Sequence, residues 1–178
     1  MFASLKGVMI ASLFATASLA AVQAEPSNFK LYAYTGRTIG GSPIFYADGL
    51  AYAGANSSLA NANEVTGVNF TASSDGTWTA TPESNVTWSS KVLYISNTTG
   101  EVGFTNKGNS SSNIITSGFR FYDHNALLKA GSKMEASWRV KDAGNTVWGL
   151  AWGTDDDDSF VPIMLRNVAP VTNASKTE

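Results

Sequence analysis

The feature that most limits what this chain can become is a two-residue rhythm: short runs of alternating apolar and polar side chains, each broken off by Gly, Asn, Asp or Ser. Alternation sends successive side chains to opposite sides of an extended backbone, so each run has one face to bury and one to leave in water. Phe29, Leu31 and Ala33 alternate with Lys30, Tyr32 and Tyr34. Lys91-Val-Leu-Tyr-Ile-Ser96, Gly103-Phe-Thr105 and Phe119-Arg-Phe-Tyr122 are β-branched or aromatic runs that end at turn residues. Ala136-Ser-Trp-Arg-Val140 and Thr146-Val-Trp-Gly-Leu-Ala-Trp152 flank Lys141-Asp-Ala-Gly-Asn145, which predicts a hairpin with a five-residue loop. About a dozen strands are expected in all, and helical periodicity is nearly absent. The fold class is therefore all-β, a single-domain antiparallel β-sandwich or small barrel.

One local theme recurs. Phe45 to Ala53, Phe70 to Ala80 and Phe119 to Ala130 each read as strand, Asp-centred turn, strand, around Asp48, Asp75 and Asp123. Asp48-Gly49 and Asp75-Gly76 suit tight turns, because Gly accepts a positive φ and an Asp side chain can bond its own downstream backbone. The Asp positions are not evenly spaced, so these are repeated hairpins rather than a true repeat; a three-lobed β-trefoil is the alternative topology.

The N-terminus reads as an export signal. Lys6 supplies a positive charge, residues 8–21 form an apolar run interrupted only by Ser and Thr, and Val22-Gln23-Ala24 is a small-x-small cleavage site. The run is shorter than the about 20 apolar residues of a membrane anchor, so residues 1–24 are expected to be removed and residues 25–178 to form the domain. Asn-x-Ser/Thr triplets stand at Asn56, Asn69, Asn85, Asn97, Asn109 and Asn173, none with Pro in the middle. Random placement of the chain's Asn, Ser and Thr would give roughly three, so the six favour N-glycosylation on a eukaryotic secretory route. The end of the chain, after Val171, is polar, where a lipid-anchor signal needs a hydrophobic tail.

Without the leader, 11 basic side chains stand against 14 acidic ones. Such a balance offers no attraction for nucleic acid or an anionic membrane. The chain has no cysteine, unusual for a small extracellular domain, so packing and backbone pairing must hold it together.

The order of motifs carries a resemblance. Phe29-Lys-Leu-Tyr-Ala-Tyr-Thr-Gly36, Gly41-Ser-Pro-Ile-Phe-Tyr46 and Ala51-Tyr-Ala-Gly54 are followed by Gly100-Glu-Val-Gly-Phe-Thr105, Gly118-Phe-Arg-Phe with Leu127 and Leu128 beyond, and Trp148-Gly-Leu-Ala-Trp-Gly153. Across nearly all of residues 25–178 this succession resembles the fungal cell wall proteins of the phialide-development family and related small secreted fungal proteins. The resemblance implies an extracellular, wall-associated protein of fungal development, with no catalytic residues to carry over. The chain departs from that family in lacking the cysteines its members usually carry toward the ends of the domain.

The residues that carry chemistry are sparse. Without Cys, and with His124 as the sole histidine, His-Glu-x-x-His zinc sites and Cys-His dyads are excluded. His124, within Tyr122-Asp-His-Asn125, reads as a turn residue, and no Gly-x-Ser-x-Gly elbow accompanies it. Glu101, Asp123, Glu135 and Asp142 are the carboxylates a glycosidase pair would draw on, and all four read as turn or turn-flanking residues. Asp155, Asp156, Asp157 and Asp158 can supply hard oxygen ligands, but lack the alternating spacing and Gly of calcium loops, so they read as a solvated loop that discourages edge pairing. No cofactor or metal is expected. Of the five Trp residues, Trp148 and Trp152 share a face with Leu150 and read as a core stripe. Trp78 and Trp88, flanked by Thr and Ser, are the candidates for exposure and carbohydrate contact. The expectation is a non-catalytic, glycosylated, cell-wall-associated structural protein. A carbohydrate-binding module or host-directed secreted protein is the alternative, and a glycoside hydrolase a third reading. The partners it implies are wall polysaccharide or wall proteins.

Overall fold

The computed structural model describes residues 26–36, 39–59, 61–109, 111–154 and 157–171. The expected leader at residues 1–24, Asn173, Asp155 and Asp156 lie outside the described residues. Among those residues the chain forms β-strands and one short 3₁₀ turn, with every strand pairing antiparallel. In chain order these are β1 (Tyr32–Thr35), β2 (Ile39–Ala47), β3 (Leu50–Ala53), β4 (Val65–Ala72), β5 (Trp78–Pro82), β6 (Lys91–Ser96), β7 (Val102–Thr105) and β8 (Ile114–Ile115). They continue as β9 (Phe119–Tyr122), β10 (Asn125–Ala130), β11 (Lys133–Glu135), β12 (Trp138–Gly144), β13 (Val147–Trp152), β14 (Phe160–Pro162) and β15 (Met164–Arg166).

Six consecutive strands close a barrel. The ring runs from β2 to β4, β5, β6, β7 and β3, and β3 returns to β2 through Phe45↔Tyr52 and Ala47↔Leu50. Of the two architectures expected, sandwich or small barrel, the barrel is the one formed. All six strands come from residues 39–105, one continuous stretch, whereas a trefoil would draw them from three equivalent lobes; the trefoil alternative is set aside. Closure leaves these strands without the unpaired edges that open sheets must protect.

Two open sheets flank the barrel. The first half of β2 holds β1, which holds β15, then β10, with β9 and β11 both paired to β10. On the other side β13 pairs with β3, β12 with β13 and β14 with β12. The two-residue rhythm is followed inward: Thr66, Val68 and Phe70 of β4 are buried, as are Phe29, Leu31 and Ala33. The polar member, Thr66, is satisfied, its Oγ1 accepting from the Glu83 and Ser84 N–H groups and the Ser84 hydroxyl.

Aromatic rings join the barrel to its flank. Trp78 of β5 is fully buried, its ring 5.2 Å from Phe29, 5.3 Å from Phe119 and 4.7 Å from Phe121. Trp138 packs edge-on against Trp152 at 4.7 Å, and its Nε1 donates 2.7 Å to the Ala126 carbonyl, tying β12 to β10. The stripe of Trp148, Leu150 and Trp152 packs against this core as expected.

The Asp turns form as read, with Asp48 (φ 46) and Asp123 (φ 52) in left-handed conformations. Asp75 Oδ1 accepts from the Thr77 N–H two residues on. The five-residue loop expected between β12 and β13 is corrected: Gly144 pairs with Val147, leaving a two-residue turn of Asn145 (φ 53) and Thr146 (φ 62). Lys141 and Asp142 continue the strand instead, and a register shift between Asp142 and Gly144 absorbs the extra residue.

Candidate functional site

The sequons sort by position. Asn56 lies in the exposed 3₁₀ turn Asn56–Ser58, Asn69 half-buried on β4, Asn85 exposed between β5 and β6, Asn97 in the β6–β7 turn and Asn109 just after β7. All five belong to the barrel or its connections. Asn97 Nδ2 donates to the Ser112 carbonyl, Asn69 Nδ2 to Glu83 and Asn109 Nδ2 to Thr105 Oγ1, each still within reach of solvent.

The last of these sites, Asn109, lines a polar cleft of about 480 Å³ on the outside of the barrel. Tyr94 is the tyrosine among its lining residues. Tyr94 of β6 stands opposite Gly103 of β7, and a Cβ on Gly103 would lie 2.9 Å from the tyrosine ring and 2.5 Å from the Gly49 carbonyl. A side chain there would displace the ring and push the β2–β3 turn off β7, so glycine is what lets both approach the strand so closely. Asp48, Glu101, Thr98, Thr99 and Asn113 supply oxygen and amide groups around it. Burial pushes the Tyr94 phenol up from its ordinary pKa, which keeps it a hydrogen-bond donor.

A second, more apolar hollow of about 160 Å³ adjoins this cleft and shares Leu50, Thr99 and Glu101 with it. Tyr52 of β3 stands opposite Gly149 of β13, with Lys141 and Phe160 next along the same register line. Lys141 Nζ lies 5.3 Å and the Arg139 guanidinium 4.2 Å from the centroid of the Phe160 ring.

One expected carbohydrate contact is corrected. Trp78 is not exposed but is the largest fully buried side chain among the described residues, so no sugar reaches it. Trp88 is half-buried, its ring tilted against Tyr46 at 4.8 Å with Lys91 Nζ over it at 5.7 Å. The Thr residues flanking Trp78 do not report its burial, because neighbours along a strand face the opposite side. Tyr94 lines the polar cleft and Tyr52 and Phe160 the hollow beside it, while Tyr122 is the most exposed aromatic side chain among the described residues.

The carboxylates are scattered. Glu101 lines the polar cleft, Asp123 sits in the β9–β10 turn, Glu135 ends β11 and Asp142 lies on β12. The carboxylate that does join Glu101 is Asp48. Its oxygens accept from the Asn63 and Glu64 backbone N–H groups, each at 2.9 Å, and these bonds hold its pKa below the ordinary value. A general acid needs the opposite shift, so Asp48 is suited to tying down a loop. His124 has the turn role expected: Nδ1 lies 2.9 Å from Asn167 Oδ1, and the His124 carbonyl accepts from the Asn167 N–H, clipping the β9–β10 turn to the segment after β15. Asp157 Oδ1 accepts from the Ser159 N–H in an exposed turn. Among the described residues no three His, Asp or Glu side chains gather as a metal site. Compared with known proteins, the chain matches no family model, no curated protein and no solved structure.

Proposed function

We propose that this chain is a non-catalytic, secreted and N-glycosylated structural protein of the extracellular or cell-wall compartment. The observation that carries the reading is the placement of its sequons. Five acceptor asparagines lie on turns, connections and the outer side of one barrel, none in the buried core, so sugars can be carried without opening the fold. The apolar leader with its small-x-small site and the motif order shared with wall proteins of fungal development support the same destination. The test is expression in a secreting eukaryotic host, with the protein followed into medium and cell wall and its sequons examined by glycopeptide mass spectrometry. Release from the wall only by glucanase, with modified sequons, is the expected result; unmodified protein retained inside the cell overturns the reading.

A second reading, polysaccharide binding, is favoured by Tyr94 and Tyr52, which line adjoining hollows. An aromatic face stacks on the apolar face of a pyranose ring, and the carboxylates and hydroxyls beside Tyr94 match sugar hydroxyls. Retention on insoluble chitin, glucan or mannan that is lost in Tyr94→Ala supports it; no retention on any of the three removes it.

A further inference from the structure

We infer that the Tyr94 cleft is the seat of the chain's own N-glycan, carried on Asn109, which folds back onto the barrel and lies against the tyrosine ring. This inference rests on the glycoprotein reading above. Three observations lead to it. Asn109 itself lines the cleft, so a sugar joined to Nδ2 begins inside it rather than beside it. Nδ2 donates 2.8 Å to Thr105 Oγ1, another lining residue; a glycosylated amide nitrogen keeps one hydrogen, so this bond can persist and aim the sugar. The Asn109 Oδ1 accepts from the Ser111 N–H, which fixes the other end of the amide.

The cleft then offers what the first sugars of a glycan need. The Tyr94 ring, which packs close to Gly103 and lines the cleft, offers an aromatic surface for a pyranose to stack on. Asp48, Glu101 and Asn113 provide acceptors and a donor for hydroxyl and acetamido groups. A volume of about 480 Å³ falls in the range of sites that enclose small ligands. Asn56 and Asn85 line hollows of their own, of about 160 and 630 Å³, but neither hollow is lined by a tyrosine and neither side chain is hydrogen-bonded to a described residue. Tethering makes the seating intramolecular, so even a weak contact is well occupied.

The experiment uses glycosylated protein secreted by a eukaryotic host. Peptide N-glycosidase is applied under native conditions, and release is followed site by site from the Asn to Asp mass change. Release from Asn109 is expected about tenfold slower than from Asn56 and Asn85, the effect of one stacking contact of ordinary strength. Tyr94→Phe retains the protection, while Tyr94→Ala and Tyr94→Leu abolish it, two variants being used so that one that fails to fold does not decide the matter. Equal release at the three sites overturns the inference, as does protection that survives both ring-deleting variants in folded protein. Absence of sugar on Asn109 when Asn56 and Asn85 carry it overturns the inference alone; absence from every sequon overturns the glycoprotein reading with it.

Discussion

The barrel and its flanking sheets solve the same problem in different ways. In the barrel every strand has partners on both sides, and every described sequon lies on it or its connections. In the flanks β11 and β14 are edge strands, and the described stretch 114–171 has no sequon. The exposed large apolar side chains of the described residues, Tyr122, Met134, Val161, Met164, Val168 and Val171, all lie there, with Tyr122 74% exposed. The open edges are blunted by short length and by charge or proline: β11 is Lys133, Met134, Glu135, and β14 ends in Pro162. Sugar acceptors thus cluster where the sheet is closed, and bare apolar surface where it is open.

Trp78 is the place to break that contrast, because it sits in the barrel yet packs on Phe119 and Phe121 of the flank. Trp78→Ala is expected to lower the unfolding free energy by about 3–5 kcal/mol, read from urea denaturation, with one transition. A loss under about 1 kcal/mol would show the two regions to be uncoupled. Gly76→Ala attacks the same joint through the backbone. Gly76 has φ 83, and a Cβ would lie 2.6 Å from the Phe119 carbonyl and 2.8 Å from its nitrogen, which donates to the Gly76 carbonyl. The expected cost is about 1–3 kcal/mol, with faster amide exchange in β9 and β10 and unchanged exchange in β6 and β7. Uniform acceleration would mean that the flank does not open separately.

Thr146→Gly works in the other direction. A β-branched residue at φ 62 is strained in a turn that favours Asn-Gly, so this substitution is expected to raise stability by about 1 kcal/mol, seen as a higher melting temperature. The smallest effect is acid sensitivity. Asp48, Glu64 and Asp75 of the barrel region have pKa values lowered by backbone N–H groups, of Asn63, Thr87 and Thr77 respectively, and Asp157 of the flank by its bonds to Ser159. A lowered folded pKa means that the unfolded chain takes up protons first, so the stability these groups add is present at neutral pH and lost as pH falls below about 4. Melting curves in acid should soften, and Asp48→Asn should remove part of the change while leaving the flank's exchange unaltered.

Several elements were legible as strings. β6 and β9 fall where the aromatic and β-branched runs place them, and all three Asp turns need only Asp or Gly in a left-handed conformation. The hairpin loop was misjudged because Lys141 and Asp142 are polar, and polarity marks a loop only where no strand face is left for water. Trp78 was misjudged because burial depends on which face turns inward, and Thr neighbours do not report it. Tyr94 carries a weak signal, an aromatic beside the buried Leu93 and Ile95, but its meaning lies in Gly103, nine residues away and opposite it only after β6 and β7 pair.

The sequence by itself determined that the chain would be built of short antiparallel strands, where its Asp turns fall, which asparagines can accept sugar and which chemistries lack their residues. These are properties of period, backbone preference and composition, all local to the string. Only the tertiary structure decided that six strands close into a ring, that Trp78 lies inside it and that Asn109 opens onto Tyr94. Those facts depend on register between distant segments, which is set by how the inward faces pack together and by where a missing Cβ lets backbone and ring approach.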